Sequence, residues 1–223
     1  RDAQDYDGLV PERCHRLIGT SYVLLRPEFA AARPASLARR RTAQLQHIMI
    51  SMGGADAGNA TTRVLDVLAA QKGLLDGLHI TVVMGSSAPH LDLVQERANT
   101  MPIPTSVRVN VRNMATLMCA ADLAIGAAGS TSWERCCLGL PTMILVLADN
   151  QAPAARALSL SKAAIALGDI RTTDWKITLK NASRMLNDPA ALSGVSEKAA
   201  MLTDGNGALR VYKEMCKEVM HAG

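Results

Sequence analysis

Aromatic side chains are nearly missing from this sequence: one phenylalanine, two tryptophans and three tyrosines make up 3% of 223 residues. With 48% hydrophobic residues a full core is still within reach, but it must come from Leu, Val, Ile, Met and Ala. That composition suits helices packed on a sheet better than a β-sandwich. The length favours one domain with extra elements over two complete domains. No apolar run reaches about 18 residues and no signal-peptide pattern opens the chain, which argues against membrane insertion and export. The five cysteines include no C-x-x-C pair. An odd count, with Cys136 and Cys137 adjacent in an apolar stretch, reads as free thiols of a reducing compartment, so a cytoplasmic location is expected. The net charge is only +4, and the single dense basic run, Arg39 to Arg41, has no aromatic neighbours for base stacking. No nucleic-acid partner is expected. The histidines (His15, His47, His79, His90, His221) show no H-E-x-x-H, no i, i+4 pairing and no cysteine at zinc spacing, so no metal is expected and none is given chemistry. The opening R-D-A-Q-D-Y-D-G-L-V-P lacks an initiator Met and any strand or helix pattern, and reads as the start of a fragment.

What is present is an alternation. After a lead holding Arg26-Pro27 and Arg33-Pro34, the run H-I-M-I-S-M (47 to 52) reads as a buried strand ending on Gly53-Gly54. Ala60, Val64, Val67 and Leu68 share one face of a helix over about 58 to 72, and L-H-I-T-V-V-M-G (78 to 85) is the next strand. A helix over about 91 to 98 stops before Pro102 and Pro104, and V-R-V-N-V (107 to 111) alternates like a short strand. Met114, Leu117, Met118 and Ala121 define a helical face, read as core. Two apolar strands, 122 to 126 and 141 to 147, then flank a helix containing W-E-R-C-C-L-G, in which Cys136 and Cys137 read as packing on the face of Trp133 and Leu140. Beyond about residue 150 the chain reads as mostly helical, broken by A-I-A-L near 164 to 167, with a last helix from about 207 to 220. Such alternation predicts an α/β, Rossmann-like parallel sheet with helices on both faces, whose ligands bind at the carboxyl ends of the strands.

Three loops leave those ends: S-M-G-G-A-D-A-G-N (51 to 59), G-A-A-G-S-T (126 to 131) and L-A-D-N-Q (147 to 151). Small residues between strand and helix let a phosphate approach the backbone and the first N–H groups of the helix. The same residues also serve as plain tight connections. Neither loop carries G-x-x-x-x-G-K-[ST] or G-x-G-x-x-G, which disfavours ATP and NAD. Thr131-x-x-Glu134 has two readings, a capping box or a carboxylate that accepts from ribose hydroxyls. Asp149 and Asn150 fit the start of a helix as caps. Gln151 has no such explanation and is the better candidate for a sugar or phosphate contact.

Taken together, G-A-A-G-S-T-S-W-E-R-C-C-L-G-L-P, the following A-D-N-Q, S-M-G-G-A-D, L-I-G-T-S-Y-V-L-L-R-P-E-F (17 to 29) and V-N-V-R-N-M-A-T-L-M (109 to 118) resemble the UDP-2,4-diacetamido-2,4,6-trideoxy-β-L-altropyranose hydrolases of pseudaminic acid biosynthesis, which serve flagellin glycosylation. That family is similar in architecture to GT-B glycosyltransferases, and the resemblance implies the C-terminal, UDP-binding half of such a fold. It divides the chain into an interdomain lead, 1–30, and a nucleotide-binding domain, 31–223. It implies a UDP-sugar substrate and no cofactor, with Gly53, Gly54 and Asp56 lining the first loop and Gly129, Ser130 and Thr131 holding the diphosphate. Glu134 would take the ribose, the backbone at Asn113 and Met114 would border the uracil, and Asn150 with Gln151 would face sugar and phosphates. The family's catalytic histidine lies in a Gly-x-Gly-His motif of an N-terminal domain, and no such motif occurs here, so no catalytic residue is assigned to this chain. Ala128, where a further glycine would be unremarkable, is a smaller departure. The last helix would offer Leu209, Tyr212, Met215 and Val219 to that N-terminal domain, in a protein expected to be a monomer. A UDP-sugar glycosyltransferase and a non-catalytic nucleotide-sugar binding module stand as the alternatives.

Overall fold

The computed structural model describes residues 3–42, 44–71, 73, 75–172, 174–183 and 188–221, with side chains described for all of these except 183 and 218–221. Six parallel strands form one sheet: β1 (His47–Ser51), β2 (His79–Met84), β3 (Thr105–Val109), β4 (Leu123–Ala127), β5 (Thr142–Val146) and β6 (Ile165–Asp169). Their order is β3-β2-β1-β4-β5-β6, the doubly wound arrangement in which strand order reverses between β1 and β4. The central strands β1 and β4 are buried at every position, whereas the edge strand β3 alternates half-buried and exposed residues. A parallel sheet covered on both faces needs continuous apolar strands only at its centre.

Helices cover both faces. Ile48, Ile50, Ile80, Val82, Leu123 and Ile125 point to α2 (Ala60–Ala69), α3 (Leu91–Asn99) and α7 (Trp175–Ser183), where Val64, Leu68, Val94, Trp175 and Leu179 meet them. The intervening Met49, Val83 and Ala124 point the other way, onto Phe29 of α1 (Pro27–Arg40), Met118 of α4 (Met114–Ala120) and Cys137 of α5 (Thr131–Cys137). On that second face Ile144 packs with Cys136, Ala155 and Leu158 of α6 (Ala152–Leu160), and Ala199 of α8 (Pro189–Ala200). Cys136 and Cys137 are both buried, but in different clusters, so they do not share one face. All five cysteines are free thiols.

Several boundaries differ from the sequence expectation. The helix expected over 58–72 is shorter, because Asn59 adopts a left-handed conformation at φ 50° just before Ala60. The strand expected at 107–111 lies two residues earlier and ends where Asn110 turns left-handed at φ 53°. A-I-A-L belongs to the edge strand β6, paired to β5 through a bulge at Ile144/Leu145. The largest miss is α1, whose Pro27 and Pro34 read as a linker. Pro27 sits in the first turn, where its missing N–H costs nothing, and Pro34 is carried inside the helix. A division at residue 30 falls inside α1, just after the fully buried Phe29. α9 (Gly207–His221) starts against residues 20–23, where a Cβ on Gly207 would stand 2.1 Å from the Val23 carbonyl oxygen. Its Leu209, Tyr212 and Met215 are exposed, and the Val219 side chain lies outside the described residues.

Candidate functional site

Ser51 at the end of β1 pairs in register with Gly126 of β4, so the first two glycine-bearing loops leave the sheet side by side at the point where strand order reverses. In open α/β sheets that crevice is where ligands bind. The two loops differ in what they leave free.

The β1 loop is closed on itself. Gly53 has φ +94°, a conformation that L side chains rarely adopt, and the Gly54 carbonyl accepts from the Gly85 N–H at 3.0 Å. A Cβ on Gly85 would stand 2.6 Å from that carbonyl oxygen. Asp56 is buried, and its Oδ1 and Oδ2 accept from the N–H groups of Ala60 and Thr61 at 2.8 and 2.9 Å. The chain's own carboxylate thus occupies the start of α2, which corrects the expectation of a second free helix opening. Asp56 holds the loop and does not face the crevice as a free carboxylate. His90 braces the same loop, with Nε2 3.1 Å from the Ala57 oxygen.

The β4 loop is open. Ala128 is buried and its N–H donates to the Leu145 carbonyl at 2.9 Å, while Gly129 and Thr131 are half-buried and Ser130 is exposed. Among the described residues, the N–H groups of Gly129, Ser130 and Thr131 donate to no protein acceptor. The capping box is not formed: Ser130 takes the cap position and Thr131 is already the first helical residue, with no side-chain cap bond. Glu134, one turn on, is therefore not used in capping. It is half-buried, and burial pushes its carboxyl above the usual range, opposed by the charges of Arg26 and Arg135 and reinforced by Glu28.

Arg26 and Glu28, which form an ion pair at 3.1 Å, lead away from Glu134 to a cavity of about 620 Å³. This cavity lies between the starts of α1 and α4, lined by Glu28, Ala31, Arg112, Asn113 and Thr116 among others. Asn113 precedes α4 without capping it by its side chain, and Met114 is the first helical residue, packed at the edge of the core. Arg26 and Glu28, whose charges act on Glu134, thus stand between it and the cavity that Glu28 lines together with Asn113. Arg26, Glu28 and Arg112 went unnoticed in the sequence, although R-P-E lies inside the quoted stretch 17–29, because that stretch read as a linker.

In the β5 loop a short 3-10 turn, Asp149–Gln151, precedes α6, and none of its side chains caps that helix. Asn150 is exposed, and Asp149 instead pairs with Arg171 at 2.5 Å. Arg171 also holds Asp169 at 2.7 Å, and that hydrogen bond keeps the Asp169 carboxyl down at about 2. Gln151 does have a structural role, contrary to expectation: its Oε1 accepts from the Leu147 N–H at 3.0 Å. Its Nε2 remains, and approaches within 3.9 Å of the position a Cβ on Gly129 would take. Gln151 therefore ties the β5 loop down while turning its amide toward the open loop.

No protein-family model matches the chain. Over 193 residues it is 28% identical to the spore coat polysaccharide biosynthesis protein SpsG of Bacillus subtilis (strain 168), covering 86% of this chain and 56% of that protein. It is 30% identical over 130 residues to the UDP-2,4-diacetamido-2,4,6-trideoxy-β-L-altropyranose hydrolase of Campylobacter jejuni, covering 57% of this chain and 42% of the hydrolase. A third relative is the UDP-N-acetylglucosamine--N-acetylmuramyl-(pentapeptide) pyrophosphoryl-undecaprenol N-acetylglucosamine transferase of Porphyromonas gingivalis (strain W83), 36% identical over 108 residues, 46% of this chain and 28% of the transferase. Among solved structures, MurG of Acinetobacter baumannii matches with a TM-score of 0.66 at 19% identity, over 82% of this chain and 53% of that one. The fold is the Rossmann-like one of GT-B glycosyltransferase-like proteins, and the chain spans about half the length of the Bacillus relative it matches.

Proposed function

We propose that the crevice between β1 and β4 binds the UDP part of a UDP-sugar, and that the chain is the nucleotide-binding half of a UDP-sugar hydrolase. The observation that carries this reading is the run of unpaired amides at Gly129, Ser130 and Thr131 beside an uncommitted Glu134. In it, those amides with the Ser130 and Thr131 hydroxyls hold the diphosphate, and the Glu134 carboxylate accepts from the ribose diol. The backbone at Asn113 and Met114 borders the uracil, Gly53 and Gly54 form the opposite wall, and Asn150 with the Gln151 amide faces sugar and phosphates. Water attack at the anomeric carbon then releases UDP, whose developing charge meets the loop amides. The base that positions this water belongs, in this reading, to an N-terminal domain of the whole protein, which would also cover Leu209, Tyr212 and Met215 of α9.

The Campylobacter relative supports hydrolysis of a 2,4-diacetamido sugar nucleotide. The Porphyromonas relative, at 36% identity, supports a second reading in which the same UDP site serves transfer of the sugar to an acceptor. A thermal-shift titration of the chain with UDP, GDP and NAD tests the binding site, since a ligand at 100 times its Kd stabilises by about 2.7 kcal/mol. Selective stabilisation by UDP is expected, and a preference for NAD refutes the reading. A product assay on the whole protein, free sugar against conjugate, decides between hydrolysis and transfer.

A further inference from the structure

Arg135 of α5 is 1% exposed, yet it forms no ion pair with any described carboxylate. Its side chain folds back beneath the open loop, where one Nη donates to the Ala127 carbonyl at 2.7 Å and to the Ser132 hydroxyl at 2.9 Å. Its Nε has no partner. The other Nη lies against the strand, so close that a Cβ on Gly126 would stand 2.1 Å from it and 2.7 Å from the Ser51 carbonyl oxygen. The guanidinium is thus inserted at the level where β1 and β4 part, under the amides of 129–131. The neighbouring Glu134 carboxylate acts on this charge without an ion-pair contact, and a buried cation so incompletely balanced is costly, which something outside the described protein should offset. Burial also lowers the Arg135 pKa to about 10, still well above neutrality, so the charge is retained.

We propose that Arg135 is a positioning residue that makes this crevice selective for a diphosphate: its buried, incompletely balanced charge is completed by the bound anion. By occupying the Ala127 carbonyl and the Ser132 hydroxyl, it also removes two acceptors that would compete for the loop amides. Gly126 is then required as the residue whose missing side chain leaves room for the guanidinium. This inference rests on the UDP reading above and adds to it the source of anion selectivity.

The test is calorimetric binding of UDP, UMP and uridine to the 223-residue chain and to its Arg135→Met and Arg135→Lys variants. Arg135→Met is expected to weaken UDP by about tenfold or more, equivalent to about 1.4 kcal/mol, UMP by less and uridine not at all. Arg135→Lys, the milder change, keeps the charge and should hold the UDP-to-uridine affinity ratio within about threefold of the parent. A parallel loss of all three ligands in either variant, as a purely structural arginine would give, overturns the proposal, as does an unchanged ratio in Arg135→Met. Should Arg135→Met not fold, the lysine variant alone still decides, because a collapsed ratio there refutes the role of charge. If the parent chain binds none of the three ligands, it is the underlying UDP reading that fails.

Discussion

Glu134 is the residue on which the site can be interrogated most directly. Its capping role is absent, and its burial disfavours the charged form. Glu134→Gln should therefore leave the melting temperature unchanged or slightly higher, while UDP affinity falls about tenfold, the worth of a charge-assisted hydrogen bond. The sign of the pH dependence follows. The carboxylate is the form that accepts from a diol, and its pKa lies above the ordinary 4.5, so the binding-competent form is lost earlier on acidification than for an ordinary glutamate. Affinity for UDP-N-acetylglucosamine, whose diphosphate does not titrate in this range, should decline on acidification at a higher pH than an ordinary glutamate would give. It should stay flat in Glu134→Gln, as calorimetry at stepped pH would record. At this scale the sequence was only partly legible. The small residues of the loops could be read, but a carboxylate near glycines looks the same whether it faces a ligand, as at Glu134, or caps its own helix, as Asp56 does. Arg135 was not legible at all, since an arginine in an amphipathic helix reads as surface.

Among the elements, α1 holds the second face together through its arginines. Arg33 donates to the carbonyls of Cys137, Ala200 and Thr203, at or just beyond the ends of α5 and α8. Arg40 donates to Met118 and Ala121 at the end of α4 and to Leu138 at the end of α5, at 2.8–3.0 Å. Helix C-termini present unpaired carbonyls and a partial negative charge, so cations there are favourable. Arg40→Met keeps most of the buried stem but removes a donor from three carbonyls; Leu138 keeps the Ser36 hydroxyl and Ala121 keeps Arg39, so Met118 is the one left without a side-chain donor. At about 1–3 kcal/mol for a buried unsatisfied group, the loss should be about 1–3 kcal/mol, read as a lowered midpoint in urea unfolding. None of this could be seen beforehand. The strands announced themselves by apolar runs, whereas α1 carries two prolines and a basic face, and its role is visible only once the helix ends it satisfies are in place.

For the molecule as a whole, residue-by-residue burial marks where the packed unit starts. No described residue before Phe29 is buried. A chain beginning at residue 19 should melt close to the parent. One beginning at residue 31 loses the first turn of α1 and the fully buried Phe29, and should be destabilised by roughly 3–5 kcal/mol, the usual effect of deleting a buried phenylalanine. Circular dichroism melts of the two truncations make the comparison, and equal melting temperatures would contradict this boundary. The parallel sheet with helices on both faces follows from the alternation of strands and helices, which is why the architecture was the most legible level. Hydrophobic period encodes layers, but not which polar groups end up satisfying one another.

The self-capped start of α2 has a consequence at this largest scale. Because Asp56 already takes the N–H groups of Ala60 and Thr61, the free amides offered to a nucleotide in the proposed site are those of the β4 loop, and the β1 loop serves only as a wall. On the proposed reading, this half would govern departure of the leaving group, while the choice of incoming nucleophile, a solvent molecule or a hydroxyl of another compound, would be left to the domain that stands opposite. On the same reading, such a half would serve either chemistry without alteration to its own grip.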